Sequence, residues 1–575
     1  MSVADADGSP GARAGEPPQA RDEGIAARVE SPGPQTPGNG LSPARGGPAA
    51  VPLPDAFAPY AWAATVAEVA ARHGLDPVQV LKFDQNTPPL PGVAQVPLAE
   101  SFATLNQYPD GLYRDLREAA AAYVSATAGA GVGWEQVVVG AGADDLILLC
   151  ARTYLASGRT ASIIPPTYAL YRIATLLNGA TPVTDPADAS ILWRCNPDNP
   201  TGAITPAAEL VELARRHPRA AVVVDEAYVE YGGESMISWL GECPNLIVLR
   251  TMSKAFGYAA LRVGYAVAAP ETAAVLEARR APAPISSPAA RIAAAALRDP
   301  RYDVASEIEE RERVRAALAA AGYDVPPVAG NFIWLRSGAD LGERLEAEGI
   351  IVRRFPQGIR VTLRRPTEND LLLRALGAEP GSAPGRGATT IRTSTETALR
   401  ITLDLDGTGR SHVLTGIGFL DHLLTLLAFH AGFDLECLAG GDLDVDEHHT
   451  VEDVLAAFGG ALQQALGARE GVARYGSAVV PMDEARATAA VDLVRRAHAE
   501  ISLAFTGDRV GGLSVSLVSH ALERFAMEAG CTIHVESSGR DDHHIAEAAF
   551  KALGQALRHA VAAGDRGIRS TKGIA

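Results

Sequence analysis

His448-His449-Thr450-Val451-Glu452 recurs 95 residues later as His543-His544-Ile545-Ala546-Glu547. Upstream the landmarks repeat as well: His422 lies ten residues before Gly432 and His520 ten residues before Gly530, each glycine preceded by alanine. From glycine to the histidine pair is 16 residues in the first copy and 13 in the second, so this is an internal duplication with a three-residue insertion. On a helix the glutamate lies three residues from one histidine and four from the other, which predicts that all three share a face. Each copy then offers four ligands, His422, His448, His449 and Glu452 in one, His520, His543, His544 and Glu547 in the other. Nitrogen and oxygen donors without sulfur suit two divalent ions of manganese, iron or zinc type, and the carboxylates favour octahedral manganese. His412, His430, His498 and His559 have no duplicated partner and read as ordinary histidines, with His534 unassigned.

Working outward, eleven of the chain's 13 histidines follow residue 388, so the 575 residues divide into two chemistries. Residues 1–50 hold eight Pro and nine Gly and few large apolar side chains, a composition too poor in burial to offset ordering entropy. Ala378-Glu379-Pro380-Gly381-Ser382-Ala383-Pro384-Gly385-Arg386-Gly387 reads as a linker joining two separate cores. The expected organisation is a disordered tail over 1–55, a first domain over 56–377, a linker over 378–389 and a second domain over 390–575. The formal charge of −17 argues against a nucleic-acid or anionic-membrane binder. There is no apolar run of membrane-spanning length and no signal-peptide pattern at the N-terminus. Five scattered cysteines without a C-x-x-C pair exclude a disulfide framework, and the expected location is the cytoplasm.

In the first domain short β-branched runs, such as Val137-Val138-Val139 and Ala221-Val222-Val223-Val224, alternate with helical patterns, which predicts a mostly parallel α/β sheet with helices on both faces. Arg250-Thr251-Met252-Ser253-Lys254-Ala255-Phe256-Gly257, with Arg262 eight residues after the lysine, is what a Schiff-base site needs: a desolvated amine, hydroxyls and a cation for a dianionic phosphate. Asp225, ending an apolar strand, can pair with a protonated pyridine nitrogen. Asn196-Pro197-Asp198-Asn199-Pro200-Thr201-Gly202 is a turn able to present an amide, and Gly140-Ala141-Gly142-Ala143-Asp144-Asp145 leads from a strand into a phosphate-favouring helix start.

These residues resemble fold-type I pyridoxal-phosphate aminotransferases, and more narrowly the histidinol-phosphate aminotransferase family, over residues 57–377. The resemblance implies that Lys254 carries the cofactor, Asp225 faces the ring nitrogen, and Asn199 and Tyr228 face the phenolic oxygen. Tyr168 would stack on the ring. Ala143, Asp144, Ser253 and Arg262 would hold the phosphate, with Tyr108 reaching in from a dimer partner. Arg360 matches the carboxylate-binding arginine and Arg353 a substrate-phosphate contact. Asp84-Gln85-Asn86-Thr87-Pro88 departs from the family's N-E-N-P. A pyridoxal-phosphate decarboxylase, an aminotransferase of other specificity and a non-catalytic scaffold are the rival readings for this half.

The second domain, over 390–575, resembles imidazoleglycerol-phosphate dehydratase through Gly416-Ile417-Gly418-Phe419-Leu420-Asp421-His422, the H-H-x-x-E runs, Val480-Pro481-Met482-Asp483-Glu484 and Ser570-Thr571-Lys572-Gly573. The implied fold is an α+β domain built from a duplicated half. The implied metal ligands are the eight named above, and the implied substrate contacts are Glu396, Arg474, Arg496, Lys551, Ser570, Thr571 and Lys572. Glu396, Glu452 or Glu547 would move protons. Val494-Arg495 and Arg569 depart from the family pattern without removing a ligand. Together the resemblances imply two consecutive steps of histidine biosynthesis, with pyridoxal 5'-phosphate, two divalent ions, small phosphate substrates and glutamate. They also imply a homo-oligomer, dimeric through the first domain and further assembled through the second.

Overall fold

A computed structural model describes residues 53–89, 105–338, 340–381 and 385–564. Nearly all of the expected tail lies outside the described residues, as do Ser570, Thr571 and Lys572.

The N-terminal domain is built on a seven-stranded sheet in the order Val137–Gly140, Gly264–Ala268, Leu246–Thr251, Ala221–Asp225, Ile191–Cys195, Thr160–Ser162, Thr181–Val183. Gly264–Ala268 runs antiparallel to both its neighbours and every other pairing is parallel. The central strands are apolar on both faces because both faces are covered. Val222, Val224 and Val248 pack into one core layer, while Val223, Ile247 and Leu249 pack into the other. Helix Ala207–Arg216 shows the matching period, burying Ala207, Leu210, Val211 and Ala214 and leaving its arginines in water. A smaller sheet, in the order Leu81–Phe83, Ile350–Phe355, Gly358–Thr362, Phe332–Leu335, has its own core.

The C-terminal domain contains the duplication as architecture. Each half runs strand, strand, strand, helix, strand, helix, the second with a short hairpin, Arg509–Val510 and Leu513–Ser514, inserted before its first helix. The sheets are ordered Gly387–Thr393, Thr397–Asp404, Asp434–Gly441, Ser411–Leu414 and Tyr475–Met482, Ala485–Asp492, Thr532–Ser538, His498–Leu503. In each sheet the last strand is parallel to its neighbour and the other pairings are antiparallel. Gly432 and Gly530, both in the left-handed region, end the first helix of each half.

The helices pair across the halves. His448–Leu466 packs on Val515–Ala529, and Asp542–Val561 packs on Gly418–Ala431. Two glycines make this possible, each eleven residues after the first histidine of its pair. A Cβ on Gly459 would overlap the Phe525 carbonyl, and one on Gly554 would overlap the Leu427 carbonyl. Leu427 and Phe525 each follow the upstream histidine of their half by five residues. One continuous core of both sheets and all four helices results.

The two domains keep separate hydrophobic cores, but they are not merely tethered. The single-turn helix Pro77–Gln79 and helix Pro366–Ala375 lie against strands Thr397–Asp404 and Gly387–Thr393. Arg400 donates to the carbonyls of Val78 (3.2 Å) and Val80 (3.3 Å), and the Thr367 and Thr389 hydroxyls are 2.7 Å apart. Strand Gly387–Thr393 starts inside the segment expected as linker.

Candidate active sites

In the N-terminal domain, strands Ala221–Asp225 and Leu246–Thr251 end side by side and deliver Asp225 and the Ser253-Lys254 turn to one cavity wall. The Lys254 amine donates to the Asn86 carbonyl at 3.0 Å and lies 5.6 Å from the Tyr228 ring centroid. Burial, reinforced by Arg360, pushes its pKa down to about 8. Burial pushes the Asp225 carboxyl up to about 6, against a 2.8 Å hydrogen bond from the Tyr171 hydroxyl and one from the Ala227 amide.

Helix Gly142–Tyr154 has no side-chain cap at its N-terminus, so the amides around Ala143 and Asp144 point toward this space. Arg262 pairs with Asp144 at 3.0 Å and lies so close to Gly142 that a Cβ there would strike it. Tyr168 donates to Asp144 at 2.9 Å, and Thr251 donates to Ser253 at 3.0 Å. This uncapped helix start, with one arginine and two hydroxyls, fits a phosphate monoester, and the lysine and aspartate fit the rest of pyridoxal phosphate. Arg360 bonds Asn199 and, at 2.6 Å, the Asp84 carbonyl. Arg353 donates to the Ala61 carbonyl and sits over Tyr60, whose ring is 6.3 Å from Tyr168. Tyr108 is 92% exposed and does not join the site of its own chain.

Sequence reasoning passed over two residues of this wall. Asn86 donates to the Tyr228 hydroxyl at 2.9 Å and accepts from Thr362 at 2.7 Å. Its signal was available, since asparagine tolerates the left-handed φ of 52° it adopts here. Tyr171, which occupies Asp225, carries no local signal.

In the C-terminal domain six of the eight expected ligands converge, but not copy by copy. His422 meets His543 and Glu547, and His520 meets His448 and Glu452, with the ligand atoms of each trio within 4.8 Å of one another. Each upstream histidine thus serves the other half, which corrects the grouping of four ligands per copy. The cause is the glycine-mediated crossing of helices between halves. His422 Nε2 is 2.6 Å from Glu547 Oε1 and His543 Nε2 is 3.1 Å from the same oxygen. In the other trio His448 and His520 each lie 3.4 Å from Glu452. Burial raises Glu547, yet hydrogen bonds from Lys551, His422 and His543 hold its carboxyl down to about 2. Two imidazoles and one anionic carboxylate are a fitting donor set for a divalent ion.

His449 and His544 stand outside the trios. Their Nδ1 atoms contact Asp442 at 3.0 Å and Glu484 at 2.9 Å, and the far side of each ring has a carboxylate 3.8–3.9 Å away, Glu396 for His449 and Asp483 for His544. Such Nδ1 contacts fix the tautomer that leaves Nε2 as a metal donor. Asp442 and Glu484 were not singled out as functional residues, although Glu484 stood in a quoted motif.

Lys551 reaches Glu547 at 2.6 Å. Arg474 and Arg496 do not come near the His422–His543–Glu547 trio in this chain. Arg474 forks onto Asp492 and donates its amide to the Ala560 carbonyl, at the opposite end from His543 of a helix that rises about 1.5 Å per residue, or roughly 25 Å away. Arg496 is exposed at the same end of the sheet.

Comparison with known proteins matches two family models to the chain. The family model "Aminotransferase class I and II" matches residues 78–376, and "Imidazoleglycerol-phosphate dehydratase" matches 415–557. The dehydratase of Granulibacter bethesdensis is 50% identical over 192 residues, covering 33% of this chain and 98% of that protein. The chain belongs to both families. The chain is also similar to the dehydratase of Phytophthora nicotianae, 42% identical over 271 residues, which cover 45% of this chain and 58% of that protein. The aminotransferase domain is similar to a histidinol-phosphate aminotransferase of Sinorhizobium meliloti, solved with pyridoxal-5'-phosphate, at 26% identity and a TM-score of 0.49, covering 54% of this chain and 93% of that one. No described helix is long and apolar enough to cross a membrane.

Proposed function

We propose that this chain performs two consecutive steps of histidine biosynthesis. The dehydratase domain converts D-erythro-imidazoleglycerol phosphate to imidazole acetol phosphate. The aminotransferase domain then uses glutamate to convert that ketone to L-histidinol phosphate. The observation that carries the reading is the pair of crossed His-His-Glu trios, sharing a chain with a half-buried lysine beside a phosphate cradle.

Two divalent ions, manganese first among them, supply Lewis acidity to the substrate imidazole when bound. The trios would hold them, with His449 and His544, fixed by Asp442 and Glu484, as further ligands. Arg474, Arg496, Lys551 and Ser570-Thr571-Lys572 bind the substrate phosphate, the two arginines acting on another copy's site because they stand far from the His543 trio of their own chain. Glu396 moves the carbon-bound proton, with Glu452 or Glu547 as the alternative carrier.

Pyridoxal phosphate supplies the electron sink of the transamination when bound. Lys254 gives up its charge near pH 8, so its amine is a nucleophile and a proton carrier at working pH. Asp225 faces the ring nitrogen, Asn199 and Tyr228 the phenolic oxygen, and Tyr168 the ring. Ala143, Asp144, Ser253 and Arg262 position the phosphate, with Tyr108 from the partner. Arg360 and Arg353 receive the substrate's carboxylate and phosphate. The assembly is a dimer through the aminotransferase domain and a larger oligomer through the dehydratase domain, in the cytoplasm. The domains span 56–377 and 387–575 after a tail over 1–55, joined by 378–386, a reading supported by the strand that begins at Gly387.

The test is direct. The full chain, given imidazoleglycerol phosphate, manganese, pyridoxal phosphate and glutamate, forms L-histidinol phosphate, and chelation stops the first step alone. If imidazole acetol phosphate accumulates while other keto acids are aminated, the aminotransferase specificity is wrong.

A further inference from the structure

Arg400 belongs to the dehydratase domain, yet its guanidinium ends in the other domain. It lies on the outward face of strand Thr397–Asp404, between the core residues Leu399 and Ile401, and is only 8% exposed. A buried guanidinium is costly unless its donors are used. Two of its nitrogens are: one bonds the Val78 and Val80 carbonyls, the other Glu436 at 3.3 Å. Glu436 in turn lies 3.8 Å from Arg365 of the aminotransferase domain.

The two carbonyls stand directly before strand Leu81–Phe83, which pairs in register with Ile350–Val352. That strand leads without a break into Asp84, Gln85 and Asn86. The Asp84 carbonyl receives Arg360, the Asn86 carbonyl receives Lys254, and the Asn86 side chain joins Tyr228 to Thr362. A six-residue path therefore runs from the dehydratase sheet to the lysine of the aminotransferase site.

We infer that Arg400 is a positioning residue for the aminotransferase site: the dehydratase domain sets the depth of residues 78–86, and with it the seat of Lys254, Tyr228 and Arg360. The inference rests on the aminotransferase reading for its kinetic consequence, but its structural part stands alone.

The experiment compares the full chain with Arg400→Met and Arg400→Lys. Hydrogen exchange should speed up about tenfold at the amides of 81–86 in Arg400→Met, the scale of losing hydrogen bonds to a charged donor, and stay unchanged in helix Ala207–Arg216. The KM of the aminotransferase for its keto acid should rise by a similar factor with kcat moved less, while dehydratase turnover stays within about twofold. Arg400→Lys, which keeps a charged donor, should recover part of both changes. Unchanged exchange at 81–86 overturns the inference, and so does faster exchange throughout both domains without recovery by lysine. If Arg400→Met does not fold, Glu436→Gln, which loosens the same arginine, should show the exchange change in weaker form, and its absence there overturns the inference equally. A wild-type chain that never develops absorbance beyond 400 nm with pyridoxal phosphate defeats the functional reading instead, and the exchange arm still decides the role of Arg400.

Discussion

Strands Thr397–Asp404 and Ala485–Asp492 occupy equivalent places in the two halves of the dehydratase domain, each antiparallel to both its neighbours. Their inward residues do the same work: Leu399, Ile401 and Leu403 in one, Ala487, Ala489 and Val491 in the other, all in the shared core. Their outward residues differ. Ala398, Arg400 and Thr402 are buried, whereas Arg486, Thr488 and Ala490 are exposed. The first strand is covered by the aminotransferase domain and the second faces water. Duplication determined the fold of both sheets, while fusion gave one of them a second buried face.

The comparison holds that docking joins surfaces while each domain keeps its own chemistry, and the largest effect tests that. Lys254→Ala should abolish the absorbance beyond 400 nm and all amino transfer, and leave dehydratase turnover within about twofold. Loss of both activities would break the separation of cores.

The next test asks whether the halves are equal where the chemistry lies. Because each trio draws on both copies, His448→Ala and His543→Ala should each lower dehydratase turnover by about a thousandfold, the scale of several kcal/mol of lost metal assistance. Metal analysis should find each variant one ion short, and a variant retaining both ions would show that the trios are not the sites. One step smaller, Asp442→Asn and Glu484→Gln should each weaken metal binding about 10–100-fold, measured by competition with a chelator. A large difference between the two would mean that the covered half and the free half are unequal at their sites.

On the aminotransferase side the sign of the pH effect follows from Lys254. Its pKa is lowered to about 8 by burial, so the charged form is disfavoured and the neutral amine appears at lower pH than for free lysine. The rate at which the protein takes up pyridoxal phosphate should therefore rise about tenfold per pH unit up to about 8 and level off above it. Stopped-flow absorbance reads this, and a profile flat from pH 6 to 9 would contradict the burial argument. The smallest effect sharpens the comparison itself. Thr488→Arg places on the uncovered strand the residue that the covered one carries, and should shift unfolding by no more than about 0.5 kcal/mol, since no described residue lies over it.

Much of the site was legible because the ligands lie on helices whose spacing is local. The H-H-x-x-E runs, the upstream histidines and the Ser253-Lys254 turn all announce themselves within a few residues, and the β-branched runs fix the wholly buried strands for the same reason. Asn86 and Tyr171 were not legible as site residues, because each acts through a partner distant along the chain, Asn86 on Tyr228 and Thr362, 142 and 276 residues away, and Tyr171 on Asp225, 54 residues away.

The sequence by itself determined that there are two domains, that one is a duplicated half, and which residue types could hold a phosphate, a lysine-bound cofactor and divalent ions. Only the tertiary structure decided which histidine serves which trio, since Gly459 and Gly554 let helices of opposite halves cross, and close approach is a property of pairs of helices. It also decided that Arg400 is buried rather than solvated. An outward-facing arginine on a strand carries no mark of the domain that will cover it, because burial depends on the partner surface and not on the strand's own period.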